Sequence, residues 1–215
     1  MPSGLALAED LIIAVRPSSV AELLSEVEAL KHKPKLCVSL AAGIPLKELS
    51  SLMKSSWARA MPSPVSRIGL GLTALTFAPE VPGRSRRRLQ AFFSHVGKVV
   101  EIPERQFDAF TATYSSSHGY HALAALAKAA QKSGLDRKTA LLAAAHALGD
   151  GIRYWRQSGA NLDELLAEAV TPGGIAAATI FATNHAGYEQ AVAKGLRAGI
   201  ARARRNARDS RKRRT

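Results

Sequence analysis

A hydroxyl and two glycines stand just ahead of a helix-forming run, where Ala169-Val-Thr-Pro-Gly-Gly174 leads into the apolar stretch that begins at Ile175. Free backbone N–H groups and the positive end of a helix dipole converge at such a point, and a carboxylate or phosphate can bind there. The same residues also make an ordinary interhelix turn with Thr171 as its cap. A second candidate is Thr111-Ala-Thr-Tyr-Ser-Ser-Ser-His-Gly-Tyr120. Its hydroxyls crowd a junction between two helices, either as a polar ligand wall or as caps at Ser116 and Ser117. Nucleophilic catalysis is not expected, since there is no G-x-S-x-G elbow and no acidic partner can be placed against His118. His118 and His121 are three apart with no convergent second pair, so a zinc site is not expected either. His32, His95, His146 and His185 are scattered and read as packing or surface residues. The single Cys37 lies inside an apolar strand and reads as a buried, inert thiol, and one cysteine excludes a disulfide within the chain.

Two apolar runs near the start supply a framework. Asp10-Leu-Ile-Ile-Ala-Val-Arg-Pro17 and Lys35-Leu-Cys-Val-Ser-Leu-Ala-Ala-Gly43 have the continuous Ile, Val and Leu content of strands covered on both faces of a parallel sheet. Between them, Ser18 to Leu30 reads as an amphipathic helix with Ser19 and Glu22 as a capping box and Leu23, Leu24, Val27 and Leu30 at helical spacing. The result is a βαβ unit, of the kind that normally binds a nucleotide through a glycine-rich loop after the fold's first strand. Only Met1 to Glu9 precede it, so that loop is expected to be missing. An exposed edge strand, at Asp10 or Lys35, is expected with it. Further along, a short helix over Ile44 to Met53 opened by Pro45, strands over Trp57 to Met61 and Leu72 to Phe77, a helix over Arg84 to Val96 and a strand over Lys98 to Ile102 complete an α/β region. Pro103 marks its end.

The texture then changes to alanine-rich helix: Arg105 to Ser115, Tyr120 to Ser133, Asp136 to Ser158, Asn161 to Val170, Ile175 to His185 and Tyr188 to Arg205, with Gly134 as a helix stop. The long third helix carries one stripe of Leu141, Ala145, Leu148, Ile152 and Trp155 and a second of Ala140, Ala144, Ala147 and Gly151. Apolar on more than one side, it is expected to be surrounded by other helices, some from a second subunit. A homodimer built on the helical half follows as the expectation.

Composition sets outer limits. The chain has 215 residues, 47% of them hydrophobic, which is enough for one or two domains with a real core. No apolar run approaches the roughly 20 residues needed to span a bilayer, and Met1 to Glu9 lacks the pattern of a signal peptide, so a cytoplasmic protein with no membrane partner is expected. Of the net charge of +13, the segment after Leu196 contributes +8, through Arg197, Arg202, Arg204, Arg205, Arg208, Arg211, Lys212, Arg213 and Arg214 against Asp209. No aromatic residue interleaves with those charges. They read as the solvated end of a C-terminal helix, and nucleic acid is not the expected partner.

Several segments, in order, resemble pyrroline-5-carboxylate reductases, which reduce a cyclic imine with NAD(P)H. Ala14-Val-Arg-Pro17 is similar to the family's A-V-K-P, and Val38-Ser-Leu-Ala-Ala-Gly43 to its V-S-x-A-A-G. Arg59-Ala-Met-Pro-Ser63 is similar to R-x-M-P-N, and Glu104-x-x-x-Asp108-Ala-x-Thr111-Ala112 to E-x-x-x-D-A-x-T-A. Ser116 and Tyr120 fall on the S and Y of S-G-S-G-P-A-Y, and Thr171-Pro-Gly-Gly174 on S-P-G-G-T-T. The resemblance runs from Glu9 to Arg205. It implies a partial Rossmann-like parallel sheet over residues 1–102, a helical dimerisation and substrate-binding domain over 103–205 and a basic tail over 206–215. It also implies NADPH or NADH as cofactor, with Ala14, Val15, Arg16, Pro17, Ala41, Ala42, Gly43 and Glu104 along it. The imine carboxylate is then held by Thr171, Gly173, Gly174 and Ser116.

The departures from the family pattern are specific. The first strand and glycine loop are expected to be missing, so weak or undetectable binding of NAD(P)H by the chain as given is expected. The hydroxyl pair after the glycines becomes Ile175 and Ala176, Asn becomes Ser63, and S-G-S-G-P-A becomes Tyr114-Ser-Ser-Ser-His-Gly119. A site that loses a hydrogen bond to its substrate can lose orders of magnitude in discrimination. Three functions compete: a reductase of this family, a catalytically silent dimeric module descended from it, and a basic-tailed binding protein.

Overall fold

The computed structural model describes residues 8–30 and 33–212; His32, Arg213 and Arg214 lie outside the described residues. The chain contacts divide into two units, Met1–Tyr114 with Gly195–Thr215, and Ser115–Lys194.

The first unit is built on five strands, β1 (Asp10–Ile13), β2 (Leu36–Ser39), β3 (Ser56–Met61), β4 (Gly71–Phe77) and β5 (Gly97–Glu101), in the spatial order β1-β2-β3-β4-β5. β1, β2 and β3 are parallel, with Asp10 opposite Leu36 and Leu36 opposite Ser56. Helices α1 (Val20–Glu28) and α2 (Leu46–Leu52) connect them. The parallel arrangement expected for the whole sheet stops at β3. β4 runs antiparallel to it, with Ala60 opposite Leu75, and β5 is parallel to β4 through α3 (Gly83–Ser94). The link over 62–70 is too short for a crossover, which takes a dozen or more residues, so the chain turns back beside the strand it has just left.

The expected Ser19–Glu22 capping box does not form. Pro17 starts a 3-10 turn over Pro17–Ser19, which leaves Ser19 at φ −103°, ψ −1° with no side-chain bond to the helix. Pro45 likewise stands one position before α2, in extended backbone, rather than in its first turn. Packing holds α1 instead: Val20, Leu24 and Val27 are fully buried, and each such side chain stabilises by about 1.5–3 kcal/mol. They join Ile13, Val38, Ile44, Leu49, Trp57 and Leu75 in one core. Cys37 is fully buried there. β1 is the edge expected from the sequence, and ion pairs Lys35–Glu9 and Arg88–Asp10 put charge along it.

Pro103 precedes α4 (Glu104–Thr113), whose Phe107 is fully buried in this same unit. The unit is completed by the end of α9 (Tyr188–Lys212), where Ala203 and Ala207 are buried. The helix therefore continues past Arg205, into the segment expected to be a tail.

The second unit holds α5 (Ser116–Lys132), α6 (Arg137–Ser158), α7 (Leu162–Ala169), α8 (Ile175–His185) and the start of α9. Asp136 caps α6 by accepting from the N–H groups of Lys138 and Thr139, and Asn161 caps α7 by accepting from Asp163. α6 packs on α5 through its small stripe: Ala140 and Ala144 are buried, as is Ala127 on α5. Its other stripe is not surrounded within the chain; Leu141, Ile152 and Trp155 are exposed, together with Leu142 and Tyr154. An apolar face of that extent is the surface of a helix awaiting a partner.

Candidate functional site

β1 and β2 end side by side, with Ile13 opposite Ser39 and the N–H of Leu40 donating to the carbonyl of Ile13 at 2.9 Å. The two segments that follow them, Ala14–Pro17 and Ala41–Gly43, therefore emerge next to one another at the carboxyl ends of parallel strands, the edge on which sheets of this kind bind their ligands. Ala14 and Arg16 are exposed, Val15, Pro17 and Ala42 are half-buried, and Ala41 and Gly43 are buried. Exposed Ala14 and half-buried Ala42 present short side chains at this edge, and in this respect the residues present fit the flat ring of a nicotinamide cofactor.

The second of these turns is tightly held. Ser39 Oγ accepts from the N–H of Ala41 at 3.2 Å. Gly43 sits at φ +81°, and a Cβ there would run into the carbonyl of Ala203 on α9, so glycine is required on two counts. Asn206, one turn further along α9, donates from Nδ2 to the carbonyl of Ala42 at 3.3 Å.

Glu104 reaches the same place from the other side. One oxygen, Oε1, accepts from the N–H of Leu46 at 3.0 Å and from Arg59 Nη1 at 2.9 Å. Arg59 is a strand residue only 2% exposed, lies 4.2 Å from the centroid of the Phe107 ring, and has Asp108 at 3.6 Å from Nη2. Glu104 and Asp108 are one turn apart on α4, so both carboxylates face the buried guanidinium.

In the second unit, Thr171–Gly174 forms a turn closed by the N–H of Gly174 donating to the carbonyl of Thr171 at 2.9 Å, with Gly173 at φ +77°. Thr171 does not cap α8. The N-cap position is Gly174, without a side-chain bond, and a Cβ on Gly174 would lie 2.6 Å from Thr171 Oγ1. Thr171 and Gly173 are exposed and Gly174 is half-buried, so the first-turn N–H groups of α8, which have no acceptor within the helix, face an accessible loop. Ile175 is 89% exposed.

The hydroxyls between 111 and 120 do not form one wall. Thr111 donates to the carbonyl of Phe107 in its own helix, the Tyr114 hydroxyl accepts from the N–H of Leu72 on β4 at 2.6 Å, and Ser115 and Ser117 bond each other. Neither Ser116 nor Ser117 caps α5: Ser116 is its first residue and Ser115 the preceding one. Among the described residues no group of His, Cys, Asp and Glu could hold a metal ion, and no helix is long and apolar enough to cross a membrane. Burial pushes the Cys37 thiol up to about 11, which leaves it un-ionised and inert. The parts that the sequence did not disclose are the Arg59–Glu104 pair and the Asn206 bond. An arginine inside the apolar Trp57–Met61 run was the one available signal.

A sheet of nucleotide-binding type followed by a helical unit with an exposed apolar face has the architecture of two-part oxidoreductases, and fold alone does not assign the activity. Comparison with known proteins gives the particular family. The family of pyrroline-5-carboxylate reductase dimerisation domains matches residues 104–206. A pyrroline-5-carboxylate reductase of Haemophilus influenzae is 31% identical over 202 residues, 91% of this chain and 74% of that one. The fold matches the Plasmodium falciparum pyrroline carboxylate reductase crystallised with NADP bound, at a TM-score of 0.85 and 20% identity over 96% of this chain and 81% of that one. It also matches the Streptococcus pyogenes 1-pyrroline-5-carboxylate reductase, at a TM-score of 0.82 and 25% identity over 91% and 76%. The chain belongs to the pyrroline-5-carboxylate reductase family.

Proposed function

We propose that this protein is an NAD(P)H-dependent reductase of a cyclic imine carboxylate, pyrroline-5-carboxylate or a near analogue, working as a homodimer or larger homo-oligomer through its helical unit. The observation that carries the reading is the ordered match along 91% of the chain to a reductase of that name. Bound nicotinamide supplies a hydride to the imine carbon. Ala14, Val15, Arg16, Pro17, Ala41, Ala42 and Gly43 wall the cofactor. The Thr171–Gly174 turn, with Ser116, takes the substrate carboxylate, whose negative charge suits the open N–H groups and the positive dipole end of α8. Work of this kind is positioning more than side-chain chemistry.

The test is a steady-state assay of the 215-residue protein with pyrroline-5-carboxylate and either NADPH or NADH, beside a fluorescence titration with each nucleotide. Imine-dependent oxidation of one nucleotide is expected, with the high KM for that nucleotide that weak binding entails. Nucleotide binding without turnover would assign the chain to the silent dimeric module, and neither binding nor turnover would end the reductase reading.

A further inference from the structure

The Ala41–Leu46 turn is held by two side chains remote from it in sequence. Glu104, the first residue of α4, accepts from the N–H of Leu46 across 58 positions, and Asn206, near the end of α9, donates to the carbonyl of Ala42 across 164. These are the first and last residues of the segment that matches the dimerisation family. Arg59 fixes the Glu104 carboxylate from below the turn, and the backbone of Ala203 closes on Gly43 beside Asn206. Neither Glu104 nor Asn206 takes part in a strand ladder.

We propose that Glu104 and Asn206 are positioning residues for the nicotinamide cofactor. They act through the Ala41–Leu46 turn, and this inference rests on the reductase reading above. Ala41, Ala42 and Gly43 have no long side chains with which to hold their own conformation. A turn pinned at one carbonyl and one N–H meets the cofactor already ordered, and the cost of ordering it is not charged to binding. Glu104 thereby acts on the cofactor indirectly, through Leu46, which lies three residues beyond Gly43.

The decisive variant is Asn206→Ala. Asn206 is a half-buried residue on a helix, and alanine favours helix, so the fold is not at risk. Loss of one hydrogen bond predicts a rise of about fivefold in Kd and KM for the preferred nucleotide. The kcat at saturating nucleotide and the KM for the imine should stay within about twofold of the parent, and amide exchange over 41–46 should speed up. Glu104→Ala exposes a buried arginine to loss of its partner and destabilises the fold. Glu104→Gln, which keeps an acceptor for Leu46, is therefore its companion and is expected to restore most of the nucleotide affinity. Unchanged nucleotide affinity and unchanged exchange in Asn206→Ala overturn the proposal, as does a uniform fall in kcat and both affinities together, which marks a general structural role. If the parent chain itself binds neither NADPH nor NADH, the reductase reading fails and this inference goes with it; the two failures are told apart by the parent titration.

Discussion

Arg59 and Glu104 meet at 2.9 Å with the guanidinium almost fully enclosed and the carboxylate about one-third exposed. Arg59 Nε and Nη2 have no hydrogen-bond partner, and neither do Glu104 Oε2 and Asp108 Oδ1. The pair is thus better at enforcing a geometry than at stabilising the fold, because much of its attraction offsets desolvation. Arg59→Met alone leaves two carboxylates facing apolar surface and should cost about 3 kcal/mol. Adding Glu104→Gln should recover at least about 1 kcal/mol of that, a coupling read from urea midpoints in a double-mutant cycle. Strict additivity of the two changes would contradict this account.

Gly43 is the second test of the same turn. Gly43→Ala must adopt a left-handed backbone, at about 1–2 kcal/mol, and must also push Ala203 away. Gly69, at φ +72°, faces open space and shares only the first of these penalties. Gly43→Ala should therefore lower the melting temperature clearly more than Gly69→Ala and should abolish nucleotide binding, which Gly69→Ala leaves in place.

The Thr171–Gly174 turn, proposed to take the substrate carboxylate, offers a gain-of-function test. Ala176 stands where the family carries a hydroxyl, next to the first N–H groups of α8, and both are exposed. Ala176→Thr supplies one hydrogen bond toward the substrate nitrogen. A rise of about tenfold in kcat/KM for pyrroline-5-carboxylate is expected, the value of one bond of ordinary strength. No change, or a fall, would mean that the substrate nitrogen lies elsewhere.

Cys37 links burial to pH. Desolvation raises its thiol from the ordinary value of 9.0 to about 11, with Asp10 pushing the same way and Ser55 opposing. The folded state thus keeps a proton that the unfolded state loses. This stability is fully present below pH 9 and is lost as pH rises from about 9 to about 11, at roughly 1.4 kcal/mol per unit. Cys37→Ala should flatten that part of the denaturation profile. At pH 8 the native thiol should resist a disulfide reagent that labels the unfolded chain at once.

The exposed stripe of α6 predicts assembly. Sedimentation should give a homodimer or larger species, and Trp155→Glu, at a residue 42% exposed in the single chain, should shift it toward monomer without loss of helix signal. A parent chain that sediments as a monomer at every concentration would remove this surface from consideration.

How much of this was legible in the sequence depended on whether the signal was local. Continuous apolar runs at Asp10–Ile13 and Leu36–Ser39 gave both strands, and the change to alanine-rich helix after Pro103 gave the second texture. Strand direction is not written in such runs. Nothing in Leu72 to Phe77 says antiparallel, and only the short 62–70 link could have said it. The Ser19–Glu22 pattern misled because Pro17 begins a turn two residues early and carries Ser19 into helical backbone. At the candidate site, both turns and the glycine loop were visible as motifs, whereas Asn206 was invisible as a partner. A single polar residue on a basic helix carries no mark of a carbonyl 164 positions away.

That separation has a consequence for how the protein is made. The turn over 41–46 is synthesised well before Asn206 and Ala203, with Ala42 and Asn206 separated by 164 positions. A contact of such long sequence range is costly in loop closure and forms late. The turn over 41–46 therefore lacks its contacts with Ala203 and Asn206 until α9 has been made, some 160 residues after the turn itself.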